Sequence, residues 1–463
     1  MPNKPATVLF FTISAAAAVP AIFATARASD APAATAIWAK PKWLTDLSFG
    51  VKESYDDNLL LVSGQGLPEQ SSWVNTISLK FGVDFAPLLA DGAAVQTLSL
   101  VYQPDKVTYA QDSQESYTAH RFNTTFKGKL DDVTYSLTNA FLYNDGSRLG
   151  VTYALNQLSG AAGNQNDKYR NNYAQSVPRE RRNQDQDRYA ALVQDDLGNF
   201  FFRPVSSLLF YNLNTYQFNT SFAPYKGYQD SIDRWDVNGG ADFGARLTKD
   251  LSFTLGYRDG YQHQDQFSPG INSDQHYSSN HYQRVLAGLE GRVAGWLTVN
   301  LTAGPDFRDY NPSAPIIDLR TTRFYGESVV TATLSKTQTL TFNFKQWLFV
   351  SSSGLVPFDD ITYSLTYHWS AARKWGLDLG AKYLQANYTI GDDIAGSAPS
   401  LRNDLEYEGS IGLSYAIVPN LVATVSDTYD KALNGLTTLS AANGPSYRNF
   451  EHQVAGVGLQ YKF

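Results

Sequence analysis

The chain has 463 residues and a formal charge of −7 at pH 7, and charged side chains make up 17% of it, against about 25% in an ordinary soluble domain. Aromatics reach 14%, with 29 Tyr, 26 Phe and 8 Trp, while cysteine is absent and methionine is a single residue. The acidity excludes a phosphate-gripping nucleic-acid binder, the missing cysteines exclude disulfides and thiolate metal or redox centres, and a mean hydropathy of −0.31 excludes a helical membrane protein.

At the N-terminus, Lys4 supplies a positive charge ahead of an apolar stretch over 8–26 that ends on Ala26-Arg27-Ala28. This is the pattern of a secretory signal peptide cleaved before Ser29. Pro20 and the small residues around it argue against a permanent anchor. Residues 1–28 are therefore set aside, and 29–44 are read as a short periplasmic segment. Beyond them no apolar run approaches the roughly 18 residues of a spanning helix, so any membrane span has to be β.

From residue 45 onward the pattern has a period of two. Leu251, Phe253, Leu255 and Tyr257 alternate with Ser252, Thr254, Gly256 and Arg258. Leu297, Val299 and Leu301 alternate with Thr298, Asn300 and Thr302. Further on, Ile361, Tyr363, Leu365, Tyr367 and Trp369 alternate with Thr362, Ser364, Thr366 and His368. One apolar face and one polar face mean half-buried strands. The alternating stretches commonly reach the roughly 9–11 residues that span a membrane, beyond the roughly 5–6 of a soluble strand. Short turns at 247–250, 293–296, 335–338, 371–374 and 418–420 alternate with polar loops near 58–72, 110–116, 145–187, 219–231, 264–280, 310–319, 351–360, 390–403 and 432–447. The expectation is an all-β fold, a transmembrane antiparallel up-and-down β-barrel of about 18 strands (16 being the neighbouring even count), filling 45–463 as one domain. Short turns would face the periplasm and long loops the outside. The stretch 189–202 is read as one weakly patterned strand.

The last residues alternate as well, with Tyr461, Leu459, Val457 and Ala455 on one side of a strand that ends in Phe463. An aromatic end of this kind is similar to the assembly signal of bacterial outer-membrane proteins. Trp73, Trp235, Trp296, Trp369 and Trp375 suit the aromatic girdles at the two membrane interfaces.

The opening strand 47–51, running into Tyr55-Asp56-Asp57-Asn58, and the later segments 251–257 and 375–383, each after a tight turn, resemble the β-barrel porin-2 family over nearly the whole mature chain. The resemblance implies a Gram-negative outer-membrane porin-like barrel, in a family whose own function is poorly defined.

Parity assigns the lumen. Opposite the apolar face lie Lys52, Lys80, Arg246, Arg258, Arg292, Lys345, Lys382 and Lys462, together with Asp84, Asp236, Asp242, Glu290, Asp378, Glu406 and Glu408. Turning a basic residue toward lipid would cost about 2–4 kcal/mol near the midplane, and an acid less. A barrel of 16–18 strands leaves an aqueous channel, and near-balanced wall charges predict weak selectivity. The longest loop, 145–187, is third on the outer side and carries Arg179, Arg181 and Arg182. General porins fold a third loop inward, so these arginines are candidates for a constriction, against the plainer reading of a solvated surface loop.

The function expected is passive diffusion of small hydrophilic solutes. The alternatives are a structural or export-associated barrel holding an extracellular polysaccharide or partner, and a saccharide-selective channel using inward aromatics such as Phe210, Tyr216 and Trp347. No enzyme, cofactor or metal is expected. His368, near Thr366 and Ser364, reads as a lumen histidine without a marked nucleophile. His263, Asp274, His276 and His281 match no tight ligand spacing. Tyr55-Asp56-Asp57-Asn58 reads as an Asp-Asn turn in preference to a Ca²⁺ loop. The partners expected are outer-membrane lipid and the barrel-assembly machinery, with a homo-oligomer left open and nucleic acid excluded.

Overall fold

The computed structural model describes residues 40–59, 61, 69–89, 94–147, 182–216, 233–265, 279–311, 319–349, 357–371, 374–388, 402–436 and 450–463. The chain divides into two units, Met1–Lys42 and Trp43–Phe463. Of the first only residues 40–42 are described, so the expected signal peptide at 1–28 lies outside the described residues.

The second unit is a succession of long strands. In chain order they are β1 (Leu44–Asp56), β2 (Ser72–Asp84), β3 (Val95–Tyr109), β4 (Tyr117–Leu130), β5 (Val133–Ser147) and β6 (Arg182–Leu197). There follow β7 (Phe200–Tyr216), β8 (Arg234–Arg246), β9 (Leu251–Gln264), β10 (Asn280–Ala294), β11 (Leu297–Tyr310) and β12 (Arg320–Ser335). The last six are β13 (Gln338–Phe349), β14 (Phe358–Ala371), β15 (Trp375–Tyr388), β16 (Arg402–Val418), β17 (Leu421–Leu436) and β18 (Phe450–Lys462).

Each strand pairs antiparallel with its neighbours in sequence, forming one 18-stranded sheet that β1 and β18 close. The closing ladder runs from Ser48 opposite Lys462 to Asp56 opposite Val454. Closure removes the free strand edges that lipid would leave without hydrogen-bond partners.

The two ends differ. Turns such as Asp131-Asp132, Gly198-Asn199, Gly295-Trp296 and Pro419-Asn420 join strands at one end, called here the turn end. Gly198 has φ 75°, a left-handed conformation that suits glycine in a two-residue hairpin. The other, loop end carries longer connections, such as 148–181 and 437–449.

The apolar face points outward. Phe49, Val51, Ile77, Leu79, Phe81, Leu255, Leu365, Ile411 and Val457 are exposed on it. Trp296, Trp369 and Trp375 stand at the turn end, and Trp73 and Trp235 at the loop end. This is the outer surface of a membrane-embedded barrel, two aromatic girdles bounding an apolar band. Phe463 follows β18 in the turn-end girdle, with its ring 4.7 Å from Tyr461 and its N–H bonded to the Leu47 carbonyl at 2.9 Å.

Several strand boundaries depart from expectation: β5 runs to Ser147, β14 starts at Phe358 and β17 runs to Leu436, each inside an expected loop, and the largest departure is at β6. β6 starts at Arg182 and ends at Leu197, so residues 182–187, expected as loop, are strand, and 200–202 already belong to β7. The Gly198-Asn199 turn is too short to interrupt the apolar run Leu197, Phe200, Phe201, Phe202, and this hid it.

Candidate functional site

The lumen is lined by the polar parity of every strand, and at the loop end its two sides meet. The ladder between β12 and β13 stops at Gly326 opposite Gln346, whereas β13 stays paired with β14 as far as Phe349 opposite Phe358. The tip of this hairpin is thus released from β12 and leans inward. Gln262 of β9 donates to the Leu348 carbonyl at 3.1 Å, and the Arg234 guanidinium of β8 lies 4.9 Å from the Phe349 ring.

Around the tip, Trp347, Phe349 and Phe358 form one buried cluster with Leu286, Tyr325, Leu384, Ala386, Ala432, Phe450 and Leu61, and Leu209 packs against it. Leu209 on β7 and Leu384 on β15 belong to nearly opposite strands of the ring, so the cluster crosses the lumen. Burying a large apolar side chain is worth about 1.5–3 kcal/mol, enough to offset the lost ladder bonds. Trp347-Leu348-Phe349 carried a usable signal in the sequence, because three successive apolar residues break the alternation and ask for cover on both faces.

On one side of the cluster stands a basic arc. Asp306 on β11 is fully buried between Arg284 Nε (3.0 Å) and Arg308 Nη2 (2.6 Å). Both guanidinium groups stack on Tyr282, at 4.1 and 4.4 Å. The Tyr282 hydroxyl donates to Asp236 at 2.7 Å, and Gln262 donates to the same carboxylate at 2.5 Å. Arg234 and Arg182 are buried on this side too.

Across the lumen the buried charged groups are mostly acids, namely Asp360 on β14, Asp404 and Glu406 on β16 and Asp430 on β17, with Lys345 on β13 beside them. His452 on β18 bridges two carboxylates, with Nδ1 2.9 Å from Asp430 and Nε2 3.1 Å from Asp56. Glu406, Glu408 and Asp430 each bring an oxygen within 4.8 Å of the others, a donor set of the kind hard cations accept.

Nearer the turn end the wall is polar and cross-linked. Arg203 forks onto Glu290 with bonds of 2.8 and 2.9 Å and reaches Asp242 at 3.0 Å, while Arg258 meets Asp242 at 2.7 Å.

The fourteen parity candidates do not form one site. Asp242, Arg258 and Glu290 share the Arg203 network. Lys382 lies 3.9 Å from Glu408, beside Glu406, and Lys345 lies 3.6 Å from Glu327. Asp236 belongs to the basic arc. Lys80 pairs with Asp46 and Arg246 with Asp196, each at 2.6 Å, and Arg292 is exposed near the turn end. Lys52 stands on β1 between Gly50 and Ser54 of the same face. Asp84 does different work, since its Oδ1 accepts the N–H groups of Ala86 and Leu98 at 3.0 Å and caps the β2–β3 turn.

Arg179 and Arg181 lie outside the described residues, whereas Arg182 is the first residue of β6 rather than part of a loop. Of the inward aromatics, Trp347 is in the cluster, while the side chains of Phe210 and Tyr216 fall outside the described set. His263 and His281 each bond their own carboxylate, Asp265 at 2.6 Å and Asp259 at 3.0 Å, and Asp274 and His276 lie outside the described residues. Asp56 accepts the Asn58 N–H at 3.1 Å, an Asx turn. His368 bonds Asp378 at 2.7 Å and Ser370 at 2.9 Å. Parity could not show Arg203, Asp306, Asp430 or His452 as partners, because cross-lumen and multi-strand contacts have no local period.

No family model matches the chain, and no curated protein matches it in sequence. The resemblance to the β-barrel porin-2 family therefore remains one of pattern. Among solved structures, the chain is similar to the ferric enterobactin receptor PfeA of Pseudomonas aeruginosa at 10% identity and a TM-score of 0.42, over 90% of this chain and 80% of that one. The siderophore receptor PiuA of Acinetobacter baumannii gives 9% and 0.39, over 90% and 82%. The FrpB iron transporter of Neisseria meningitidis gives 8% and 0.41, over 90% and 81%. Likeness at this level decides nothing about what this chain carries.

Proposed function

We propose that the chain is a bacterial outer-membrane channel for small hydrophilic solutes, with its path narrowed toward the outer face. The observation that carries this reading is the charged and hydroxyl-bearing lumen face of a closed 18-strand barrel whose opposite face is apolar, a polar path narrowed at the loop end by the Trp347 cluster. In the proposed orientation the turn end faces the periplasm. A solute crosses a polar vestibule there and meets the basic arc on one side and the acidic arc on the other. Low-dielectric walls strengthen such a field, which aligns dipolar solutes and sorts ions. The β13–β14 tip sets the width.

Single-channel recording with refolded protein in planar bilayers tests this. The wild type should show small conductance steps, and replacing Trp347 and Phe349 together by Gly should enlarge them severalfold. If neither protein conducts, the channel reading falls and a structural or partner-holding barrel takes its place.

A further inference from the structure

His368 and Ser370 are two residues apart on β14, so their side chains leave the same lumen face, and Asp378 stands directly across from His368 on β15. His368 Nδ1 is 2.7 Å from Asp378 Oδ1, and Nε2 is 2.9 Å from Ser370 Oγ. An ionised carboxylate only accepts, so Nδ1 carries the proton and Nε2 presents its lone pair to the Ser370 hydroxyl. Acid to Nδ1 and Nε2 to hydroxyl is the order a serine hydrolase needs. The side chains of His368 and Asp378 are 52% and 63% exposed, so water and substrate reach them.

The neighbourhood suits a substrate. Ser370 faces Gly376 on β15, and Gly376 faces Ser414 on β16. The row Ser370–Gly376–Ser414 sets two hydroxyls on either side of a glycine, with Ser414 Oγ leaning over Gly376 and donating to its carbonyl at 3.4 Å. Gly380, Ser410 and Gly412 continue this low relief on the same wall. Among the described residues around this row the side chains are small and polar, with no apolar slot for a long acyl chain.

We propose that Ser370, His368 and Asp378 form a hydrolytic triad at the turn end of the lumen, acting on short-chain carboxylic esters of hydrophilic alcohols. Ser370 Oγ attacks the ester carbonyl as His368 Nε2 takes the hydroxyl proton, and Asp378 holds the imidazolium. The bond from the carbonyl carbon to the alcohol oxygen then breaks, the alcohol leaves with the proton from His368, and an acyl-Ser370 remains. Water, deprotonated by His368, attacks this acyl group, the carboxylic acid leaves, and the proton returns to Ser370 Oγ. One ester and one water become one alcohol and one acid, with no other reactant.

The test uses the full refolded chain. A fluorophosphonate probe should modify one serine, which peptide mass spectrometry should place at Ser370, a readout that needs no variant to fold. The wild type should hydrolyse p-nitrophenyl acetate, and Ser370→Ala should fall to the buffer rate while keeping the heat-modifiable mobility of a folded barrel. Asp378→Asn should lower kcat by about 10⁴-fold, the size seen when the orienting acid of a triad is lost, with KM unchanged. Absence of probe at Ser370, or ester hydrolysis by Ser370→Ala equal to wild type, would overturn the proposal. Channel conductance is independent of either result.

Discussion

Asp306 should be the most sensitive single residue of the wall. It is fully buried, and its carboxylate is shared by Arg284 and Arg308 at 3.0 and 2.6 Å. Asp306→Ala would leave two buried guanidinium groups side by side over Tyr282 with the charge between them gone. Two charge-assisted hydrogen bonds of about 1.5–3 kcal/mol each are lost, and truncating one partner of a buried ion pair costs about 3–5 kcal/mol. These overlap, so a net loss of about 3–5 kcal/mol is expected. Asp306→Asn, which keeps one acceptor, should lose less. The changes Arg284→Met, Asp306→Leu and Arg308→Met combined with Asp236→Asn should recover most of the stability, because together they remove the buried charges around Tyr282. The assay is urea-dependent unfolding from phosphatidylcholine vesicles, followed by tryptophan fluorescence. As an internal control, Arg320→Ala, which breaks the exposed Arg320–Asp309 pair at 3.7 Å, should leave the midpoint in place. A loss below about 1 kcal/mol for Asp306→Ala, the size of an exposed pair, would refute the claim that this network is desolvated and structural.

The chain has no cysteine, so single cysteines report topology: Glu69→Cys, at an exposed position before β2 at the loop end, should react with a membrane-impermeant maleimide on intact cells, and Gly295→Cys only after permeabilisation. The reverse pattern would invert the orientation. Phe463→Asp should impair membrane insertion, because a charge would replace the aromatic end that packs on Tyr461; normal levels of heat-modifiable protein would sink the assembly-signal reading. Glu406→Gln with Asp430→Asn should move the reversal potential toward anions, most strongly at low salt where screening is weak. Changing Arg179, Arg181 and Arg182 to Gln should move it toward cations, and a reversal potential unmoved by both sets would place the selectivity elsewhere.

Much of the barrel is legible in the sequence by itself, because the two-residue period is imposed by the strand backbone. The alternation at 251–257 or 361–369 is enough to separate an apolar from a polar face along each strand. The strand count and the two ends follow from spacing, since nothing else accommodates so many long amphipathic segments after an export-like leader. The tight turn at Gly198-Asn199 was hidden because the apolar residues run across it. What a side chain meets once inside is another matter, because it depends on stagger between strands and on contacts across the lumen, which no local pattern records. Only the tertiary structure places Asp306 between two arginines, extends Arg203 from β7 to Glu290 on β10, and sets Asp378 opposite His368 while Ser370 stands two residues along. The inward lean of Trp347 and Phe349 was decided in the same way: it arises where the β12–β13 ladder stops and buried aromatic area outweighs the missing backbone pairs, a balance that exists only once the ring has closed.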